Sequence, residues 1–345
     1  MDKLYEIIEK LTSVPGVSGF EHAAFAAVRE FLASTEIFDE IYTTPVSSIC
    51  ALMRCGKKNA PLVMCDAHLD TVGFLVTEIC EGGFLRVAPV GGIAPKILQA
   101  SVVNIYGKRT ITGVFGSKPP HLQAPGEAEK KTEISDLFID TGTSVERLKE
   151  IIRVGTPVGF RGKTEKLLGT RVVGTYLDDR LCAAATIRAL MMLDKKQLGC
   201  DVAFSFSARE ETGNAAATVA FGLEPDMAIV SDVTNAFVPG AHKSREGVKV
   251  GNGVDICYSP MTSRRLTDLA VKTAKENGVK YQLSASPGRT GTNTEGISSA
   301  RGAIPSVLFS IPLKNMHTAS EICDLKDVYE TARLISLFIK ETEAR

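Results

Sequence analysis

A chain of 345 residues, of which 44% are hydrophobic and 23% charged, is long enough for one large domain or two ordinary ones. Its 40 basic residues balance its 40 acidic ones, which argues against a nucleic-acid partner or an anionic membrane surface. No stretch approaches the roughly 18 apolar residues that span a bilayer, and the start lacks the apolar core of a signal peptide. The eight cysteines show no C-x-x-C spacing, so we expect reduced thiols in a cytoplasmic protein.

The first part of the chain predicts helices, then strands, and then a change of character. Between residues 72 and 163, short strand-like runs are separated by glycine, proline and polar turns, a pattern typical of a small barrel or sandwich inserted into another domain. The proline-rich, charged segment 117–133 inside this region indicates an exposed loop. The predicted elements are helices at about 3–11 and 21–34, strands at 49–54 and 62–67, five short strands within 73–162, and a helix at 144–152.

From residue 177 onward, helices and strands alternate, which is the pattern of an α/β domain with a mostly parallel sheet between helices. We therefore predict one α/β domain built from residues 1–71 and 164–345, interrupted by a β-rich insertion at 72–163. The predicted elements here are helices at 177–194, 214–222 and 263–278, strands at 201–208, 226–232 and 305–312, and a C-terminal helix from about 326.

Ionisable residues follow the predicted strands at the points where ligands bind in open α/β sheets. His68 and Asp70, Glu210 and Glu211, Asp232, and His317 each come at or just after an apolar run, and Asp178 and Asp179 precede a helix. Taken singly, each has a plain structural interpretation as a hydrogen-bonded junction residue, a helix cap or a surface carboxylate. Together they favour a metal site, because charges gathered at the ends of buried strands need a neutralising cation.

Two imidazoles and three or more carboxylates exceed what one tetrahedral zinc needs, so they suit two divalent ions that share a bridging carboxylate. Asp70, two residues after His68, is expected to accept the second N–H of that imidazole. One member of the pair Glu210–Glu211 would bind metal and the other would take a proton from water. Because neighbouring residues of a strand point to opposite faces, this pair must lie where the strand breaks into a loop.

The segments "AHLDTVGF", "LDDR", "SAREETG", "VSDVTNA" and "MHTASE", in this order, resemble the tetrahedral aminopeptidase and glutamyl aminopeptidase family of dinuclear metallo-aminopeptidases. Some members of that family carry the name endoglucanase. The resemblance covers essentially the whole chain. It implies two ions per subunit, zinc or cobalt with manganese as a further candidate, in a zinc-peptidase-like α/β/α fold. The implied ligands are His68, Asp178 and Asp232 for one ion, and Asp178, Glu211 and His317 for the other.

The resemblance also implies roles for other residues and for the insertion. Glu210 would be the general base, Asp70 would orient His68, and a non-proline cis peptide would follow Asp178. The β-rich insertion would assemble subunits into dimers and then twelve-subunit particles that admit short peptides. The chain departs from the family at "LKNMH", at "GTNTEG" with Asn293, and after Asp232, where a common histidine is missing. These departures leave the implied ligands in place and bear on substrate preference.

Three alternatives stay open from the sequence. A glycoside hydrolase would use paired carboxylates without metal, although a chain with no tryptophan is poorly suited to a sugar cleft. A catalytically weak or inactive assembly protein could keep the fold, and a Ser-His-Asp hydrolase lacks its G-x-S-x-G motif. His22, His121 and His242 are not expected to be ligands, although His121 could reach a neighbouring subunit's site and His242 could line the pocket.

Overall fold

A mixed sheet of eight strands forms the centre of the computed structural model, which describes residues 1–116, 121, 126, 132–213, 215–240 and 247–342. Numbered along the chain, the strands are β1 Glu40–Thr43, β2 Ile49–Met53, β3 Leu62–His68, β4 Gly73–Ile79, β5 Phe84–Val90, β6 Val102–Tyr106, β7 Thr110–Phe115, β8 Ile139–Asp140, β9 Pro157–Phe160, β10 Glu165–Lys166, β11 Arg171–Gly174, β12 Asp201–Ser207, β13 Met227–Asn235, β14 Val254–Tyr258, β15 Tyr281–Ala285, β16 Ser306–Leu313 and β17 Glu321–Asp324. The order in the central sheet is β1-β2-β12-β3-β13-β16-β14-β15, and the four middle strands β12, β3, β13 and β16 run parallel.

Helices cover both faces of this sheet, as predicted for an α/β/α sandwich. The α-helices of the described ranges are α1 Asp2–Thr12, α2 Phe25–Ser34, α3 Val145–Ile151, α4 Leu177–Leu190, α5 Ala215–Leu223, α6 Arg264–Glu276, α7 Thr294–Ser299 and α8 Leu325–Thr342, and of these α3 packs against the β-rich insertion instead of the sheet. Helices α1, α2, α4, α6 and α8 pack into one core on one face, and α5 and α7 pack into a second core on the other. Within the described ranges, no helix has the length and apolar character needed to cross a membrane.

The sequence of β3 shows why the sheet is buried on both sides. Successive side chains of a strand point to opposite faces. Val63 and Cys65 therefore join the α4 core, while Met64 joins the α5 core. Helix α4 is itself apolar all round, since it lies between the sheet and the outer helices, and nearly all its side chains are buried. A helix buried in this way gives the residues at its first turn a fixed position.

The β-rich insertion is a closed antiparallel barrel with the strand order β4-β5-β8-β7-β6-β9. Its interior is centred on Phe74, whose ring makes edge-to-face contacts with Phe115 and Phe160 at centroid distances of 5.1 and 5.8 Å. The barrel that the sequence predicts is therefore confirmed, while the domain limits at 71–72 and 163–164 stay a prediction. The predicted loop at 117–133 lies almost entirely outside the described residues.

The structure differs from the predicted elements at several places. Residues 21–34 form a short 3₁₀ turn at Glu21–Ala23 followed by α2, not one helix, and the Glu21 side chain is turned inward, where it accepts backbone N–H groups. The sequence analysis also missed β14 and β15, which widen the central sheet. Strand β15 is half-exposed at the edge of the sheet, so its burial gives no clear alternation.

Candidate metal centre

The candidate site forms where the four parallel strands end. The carboxyl ends of parallel strands meet at one edge of a sheet. His68 is the last residue of β3, Asp232 lies in the second half of β13, and His317 follows β16 by four residues. The loop after β12 carries Glu210 and Glu211, so the prediction that this pair lies beyond the strand end is confirmed.

Asp178 enters the site from the start of α4. Its backbone angles and those of Asp179 are not helical, so the regular helix begins after them. The peptide bond between Asp178 and Asp179 is cis, as the resemblance implied. The Asp178 carboxylate points its two oxygens at different imidazoles: Oδ1 lies 3.1 Å from His68 Nε2, and Oδ2 lies 3.3 Å from His317 Nε2.

Two groups of potential ligands share Asp178. Within each group, the ligand atoms all lie within 4.8 Å of one another. Asp232 Oδ1 lies 3.9 Å from His68 Nε2, and Glu211 Oε2 lies 3.4 Å from His317 Nε2. The structure thus brings together all five residues that the sequence analysis named as ligands, in the groups His68, Asp178 and Asp232, and Asp178, Glu211 and His317. Their role as ligands stays a prediction.

Glu210 belongs to neither group but borders both. Its Oε2 atom lies 4.0 Å from His68 Nε2, and its side chain is 16% exposed. The neighbouring Glu211 carboxylate is more deeply buried, and its Oε1 atom has no hydrogen-bond partner in the described part of the chain. The two adjacent glutamates therefore differ in position: Glu211 faces the ligand group and Glu210 faces the more open side of the site.

Burial and crowded negative charge set the electrostatics of the site. Burial raises the pKa of Glu210 to about 7 and that of Glu211 to about 8. Burial and the charge of Asp179 raise the pKa of Asp232 well above its ordinary value. Burial would raise the pKa of Asp178 as well, but hydrogen bonds with His317 and His68 outweigh it and lower that pKa to about 2.

The donor set fits divalent cations. Among the described residues, the ion pairs of these carboxylates are all with His68 and His317, so the carboxylates outnumber their positive partners. A buried carboxylate oxygen without a partner, such as Glu211 Oε1, is costly unless something binds it. Oxygen and imidazole donors without thiolate suit zinc, cobalt or manganese.

Asp70 lies beside His68 Nδ1, and its role in orienting that imidazole stays a prediction. The Nδ1 atom of His68 lies 2.9 Å from the backbone carbonyl of Asp70 and 3.5 Å from its carboxylate. The carboxylate instead accepts the backbone N–H groups of Glu210 and Glu211, at 2.9 and 3.1 Å. The sequence analysis could not foresee this, because the loop after β12 comes 140 residues later. Asp70 thus supports the imidazole through its backbone and the glutamate pair through its side chain.

Two contacts that the sequence analysis missed hold His317. Its Nδ1 atom lies 2.6 Å from the Gly92 carbonyl, which belongs to the segment just after β5 of the barrel. Its backbone N–H donates to Glu321 Oε1 at 2.8 Å, and Glu321 Oε2 accepts the N–H of Asp178 at 3.1 Å. Such outer contacts orient metal ligands and are part of the site. The acidic residue in "MHTASE" was the only signal for Glu321 in the sequence.

A substitution at Gly91 tests whether the barrel supports the candidate metal site. Its φ is +79°, and a Cβ there would lie 2.8 Å from Val72 Cγ1 and 3.4 Å from Glu211 Cβ. We expect Gly91→Ala to displace the neighbouring Gly92 carbonyl from His317 and to press on Glu211, whose Oε2 also lies 3.4 Å from the added Cβ, and so to weaken zinc binding by about 10- to 100-fold. Isothermal titration of chelator-stripped protein with zinc measures this.

Gly142→Ala is the matched control for Gly91→Ala. Gly142 also has a positive φ, +64°, but no described heavy atom lies within 4 Å of a Cβ placed there. This variant should show the conformational cost of an alanine at positive φ, about 1 kcal/mol, without any loss of zinc affinity. Equal zinc affinity in the two variants would mean that the segment after β5 does not support His317.

Arg180 is a further buried charge beside the site. It is fully buried, and its guanidinium donates to the backbone carbonyls of Leu69 at 2.9 Å, Val14 at 3.3 Å, and Leu11. It therefore ties the segment after α1 to the residue before Asp70. Burial lowers the pKa of Arg180 to about 10, so it stays charged near neutral pH.

The altered "GTNTEG" segment has a clear structural partner. The Asn293 amide is buried and donates to Asp66 Oδ2 at 2.9 Å and to Ser207 Oγ at 2.8 Å. Asp66 lies in β3, two residues before His68, and its carboxyl faces the Asn293 amide. An aspartate at 293 would place two carboxyls together in a buried position, which is unfavourable. The amide of Asn293 is therefore complementary to the carboxyl of Asp66.

Of the remaining histidines, the structure describes two. His22 and His121 are exposed and belong to neither ligand group. His242, which the sequence analysis considered as a pocket residue, lies outside the described residues.

Comparison with known proteins agrees with the fold. Residues 48–334 match the M42 glutamyl aminopeptidase family. A lysyl aminopeptidase of Pyrococcus furiosus is 31% identical over 98% of this chain and 97% of its own length. The crystal structure of a TET aminopeptidase from the marine sediment archaeon Thaumarchaeota archaeon SCGC AB-539-E09 superposes with a TM-score of 0.92, at 30% identity over 99% of this chain and 98% of that one.

A third similar structure is that of the Pyrococcus horikoshii TET1 peptidase, which can assemble into a tetrahedron or a large octahedral shell. It superposes with a TM-score of 0.83, at 26% identity over 98% of this chain and 99% of that one. The fold and these similarities define a peptide hydrolase of the aminopeptidase class. The chain belongs to the M42 glutamyl aminopeptidase family.

Proposed function

We propose that this protein is a dinuclear metal-dependent aminopeptidase that removes N-terminal residues from short peptides. The observation that carries the proposal is Asp178, whose two carboxylate oxygens lie 3.1 and 3.3 Å from two different imidazoles. One carboxylate shared in this way fits a pair of ions, each with one histidine and one further carboxylate. Zinc or cobalt are the proposed ions, with manganese as a further candidate.

In the proposed reaction, the residues of the site have separate roles. A pair of divalent ions in such a site lowers the pKa of water and polarises the scissile carbonyl. Glu210, which borders both ligand groups without belonging to either, would accept the proton of the attacking water and return it to the leaving amine. Asp70 and Glu321 would hold the backbone of the ligand residues in place.

Initial rates on aminoacyl p-nitroanilides test the proposal. Chelator-stripped protein should release no nitroaniline, and zinc, cobalt or manganese should restore release from substrates with a free α-amino group. Acetylation of that group should abolish release. Release that persists without metal, or from acetylated substrates, would contradict a metal-dependent aminopeptidase, and hydrolysis of a nitrophenyl glucoside alone would favour the glycosidase alternative.

We also propose that the barrel mediates self-assembly, from a dimer up to a dodecamer, and that the protein acts in the cytoplasm. The assemblies of the Pyrococcus horikoshii relative support the first proposal. So does an exposed apolar patch on the barrel, where Val102 and Val114 pair across β6 and β7 and are 38% and 40% exposed. None of the eight cysteines, all of which lie in the described ranges, forms a disulfide bond, which supports a reducing compartment.

A further inference from the structure

The loop that carries Glu210 and Glu211 is held by side chains from other parts of the chain. Four consecutive backbone N–H groups follow β12, and each donates to a side-chain oxygen. The pairs are Ala208 with Ser48 Oγ at 3.1 Å, Arg209 with Glu21 Oε1 at 3.1 Å, Glu210 with Asp70 Oδ1 at 2.9 Å, and Glu211 with Asp70 Oδ2 at 3.1 Å. The path of this loop therefore depends on acceptors outside it.

Arg209 is the residue of this loop that most needs such support. Its φ is +59°, in the left-handed region that residues other than glycine rarely adopt. A backbone in this region persists when surrounding contacts hold it there. Because Arg209 immediately precedes Glu210, any relaxation of its backbone would swing the Glu210 side chain away from His68.

Glu21 supplies the contact that Arg209 requires. Its side chain is fully buried, and Oε1 accepts the N–H of Gly19 at 2.9 Å as well as that of Arg209. Its Oε2 atom has no hydrogen-bond partner in the described ranges. Burying a carboxylate with one oxygen unpaired is unfavourable for folding. A contribution to stability alone therefore does not explain why a glutamate occupies position 21.

A second contact joins the same two loops. The Ser18 and Thr212 hydroxyl oxygens lie 2.7 Å apart. The loop that carries Ser18 and Glu21, called the N-terminal loop below, therefore contacts the loop of residues 208–213 on both sides of the glutamate pair. The N-terminal loop is in turn fixed to the strand end, because Ser18 N–H donates to the Thr71 carbonyl at 3.0 Å. The N-terminal loop thus connects residues 208–213 to the chain just beyond Asp70.

We infer that Glu21 is a positioning residue, which fixes the backbone of Arg209 and thereby aims Glu210 and Glu211 into the site. This inference rests on the proposed function for the meaning of Glu210, but the loop position itself can be measured without turnover. It adds to the site a residue nearly 190 positions away from the glutamates in the chain.

Three variants separate positioning from general stability. Glu21→Ala removes the acceptor, whereas Glu21→Gln keeps an oxygen that can accept the same two N–H groups. Asp201→Ala is the matched control: Asp201 also accepts a backbone N–H, that of Cys55 at 2.9 Å, but it lies at the first residue of β12, at the end opposite the site. Each variant is measured as purified full-length protein by hydrogen exchange with mass spectrometry, thermal unfolding, and metal-loaded kinetics.

In Glu21→Ala we expect amide exchange to quicken by about tenfold in peptides covering residues 208–213 and at Gly19, whose N–H loses the same acceptor, with little change elsewhere. We expect kcat to fall by about 10- to 100-fold at unchanged KM, as small misplacements of a catalytic group do. Glu21→Gln should restore slow exchange and most of kcat. Asp201→Ala should lower the unfolding temperature while leaving exchange at 208–213 and kcat as in the wild type.

Unchanged exchange at 208–213 in Glu21→Ala would overturn the inference, and so would an increase spread over the whole chain, which would assign Glu21 a general structural role. A wild-type protein that hydrolyses no aminoacyl anilide with any ion would refute the proposed aminopeptidase. The exchange measurement would still decide whether Glu21 fixes the loop, so the two failures are distinguishable.

Discussion

Glu210→Gln should lower kcat by about 10²- to 10⁴-fold, the usual contribution of a general base. The amide has nearly the shape of the carboxylate but cannot accept a proton. Because Glu210 lies outside both ligand groups, the variant should keep the metal content of the wild type. Rates on an aminoacyl p-nitroanilide and metal analysis of the same sample test both statements.

The neighbouring residue gives the matched control for Glu210→Gln. Glu211 is in the same loop and is held by the same Asp70 carboxylate, but its Oε2 lies 3.4 Å from His317 Nε2. Glu211→Gln should therefore lose metal together with activity. If Glu210→Gln lost metal as well, Glu210 would be a ligand, and the proton acceptor would have to be sought elsewhere.

The sequence predicted the candidate ligands well because their positions follow from strand ends. His68, Asp232 and His317 each lie near the end of an apolar run, and runs of this kind become parallel strands whose carboxyl ends converge. Burial of both faces made the runs visible, as in β3 and β13. The same reasoning placed Glu210 and Glu211 beyond the strand, since neighbouring strand residues cannot share a face.

Contacts between segments that are distant in the chain could not be predicted from the sequence. The Gly92 carbonyl reaches His317 only because the barrel returns to the sheet at that point, and 225 residues separate the two in the chain. Glu21 likewise contacts Arg209 through an inward-turned side chain. No local periodicity carries information of this kind, because such contacts depend on how loops cross.

Edge strands were the weak point of the fold prediction. Strand β15 pairs on one side only, with β14, and its side chains alternate poorly between buried and exposed. β14 is buried but short and lies between glycine-rich and proline-containing turns. The buried middle of the sheet was therefore predictable, whereas its width was not.

Asp178 is the residue whose loss should have the largest effect on metal binding. Its two oxygens face the two imidazoles separately, and it is the one member common to both ligand groups. Removing it deprives each ion of a ligand and leaves the remaining carboxylates crowded without the shared partner. His68 and His317, by contrast, each belong to a single group.

Asp178→Ala should therefore abolish measurable zinc binding by isothermal titration, whereas wild-type protein should bind two equivalents. His68→Ala and His317→Ala should each weaken one of the two binding events more than the other, because each histidine serves one group. Asp179→Asn is the neighbouring control: Asp179 belongs to neither ligand group, its Oδ2 accepts the His68 backbone N–H at 3.3 Å, and an amide oxygen can do the same, so two equivalents should remain. One full equivalent bound by Asp178→Ala with wild-type affinity would show that the ions do not share this carboxylate, since loss of a bridging ligand must weaken both sites.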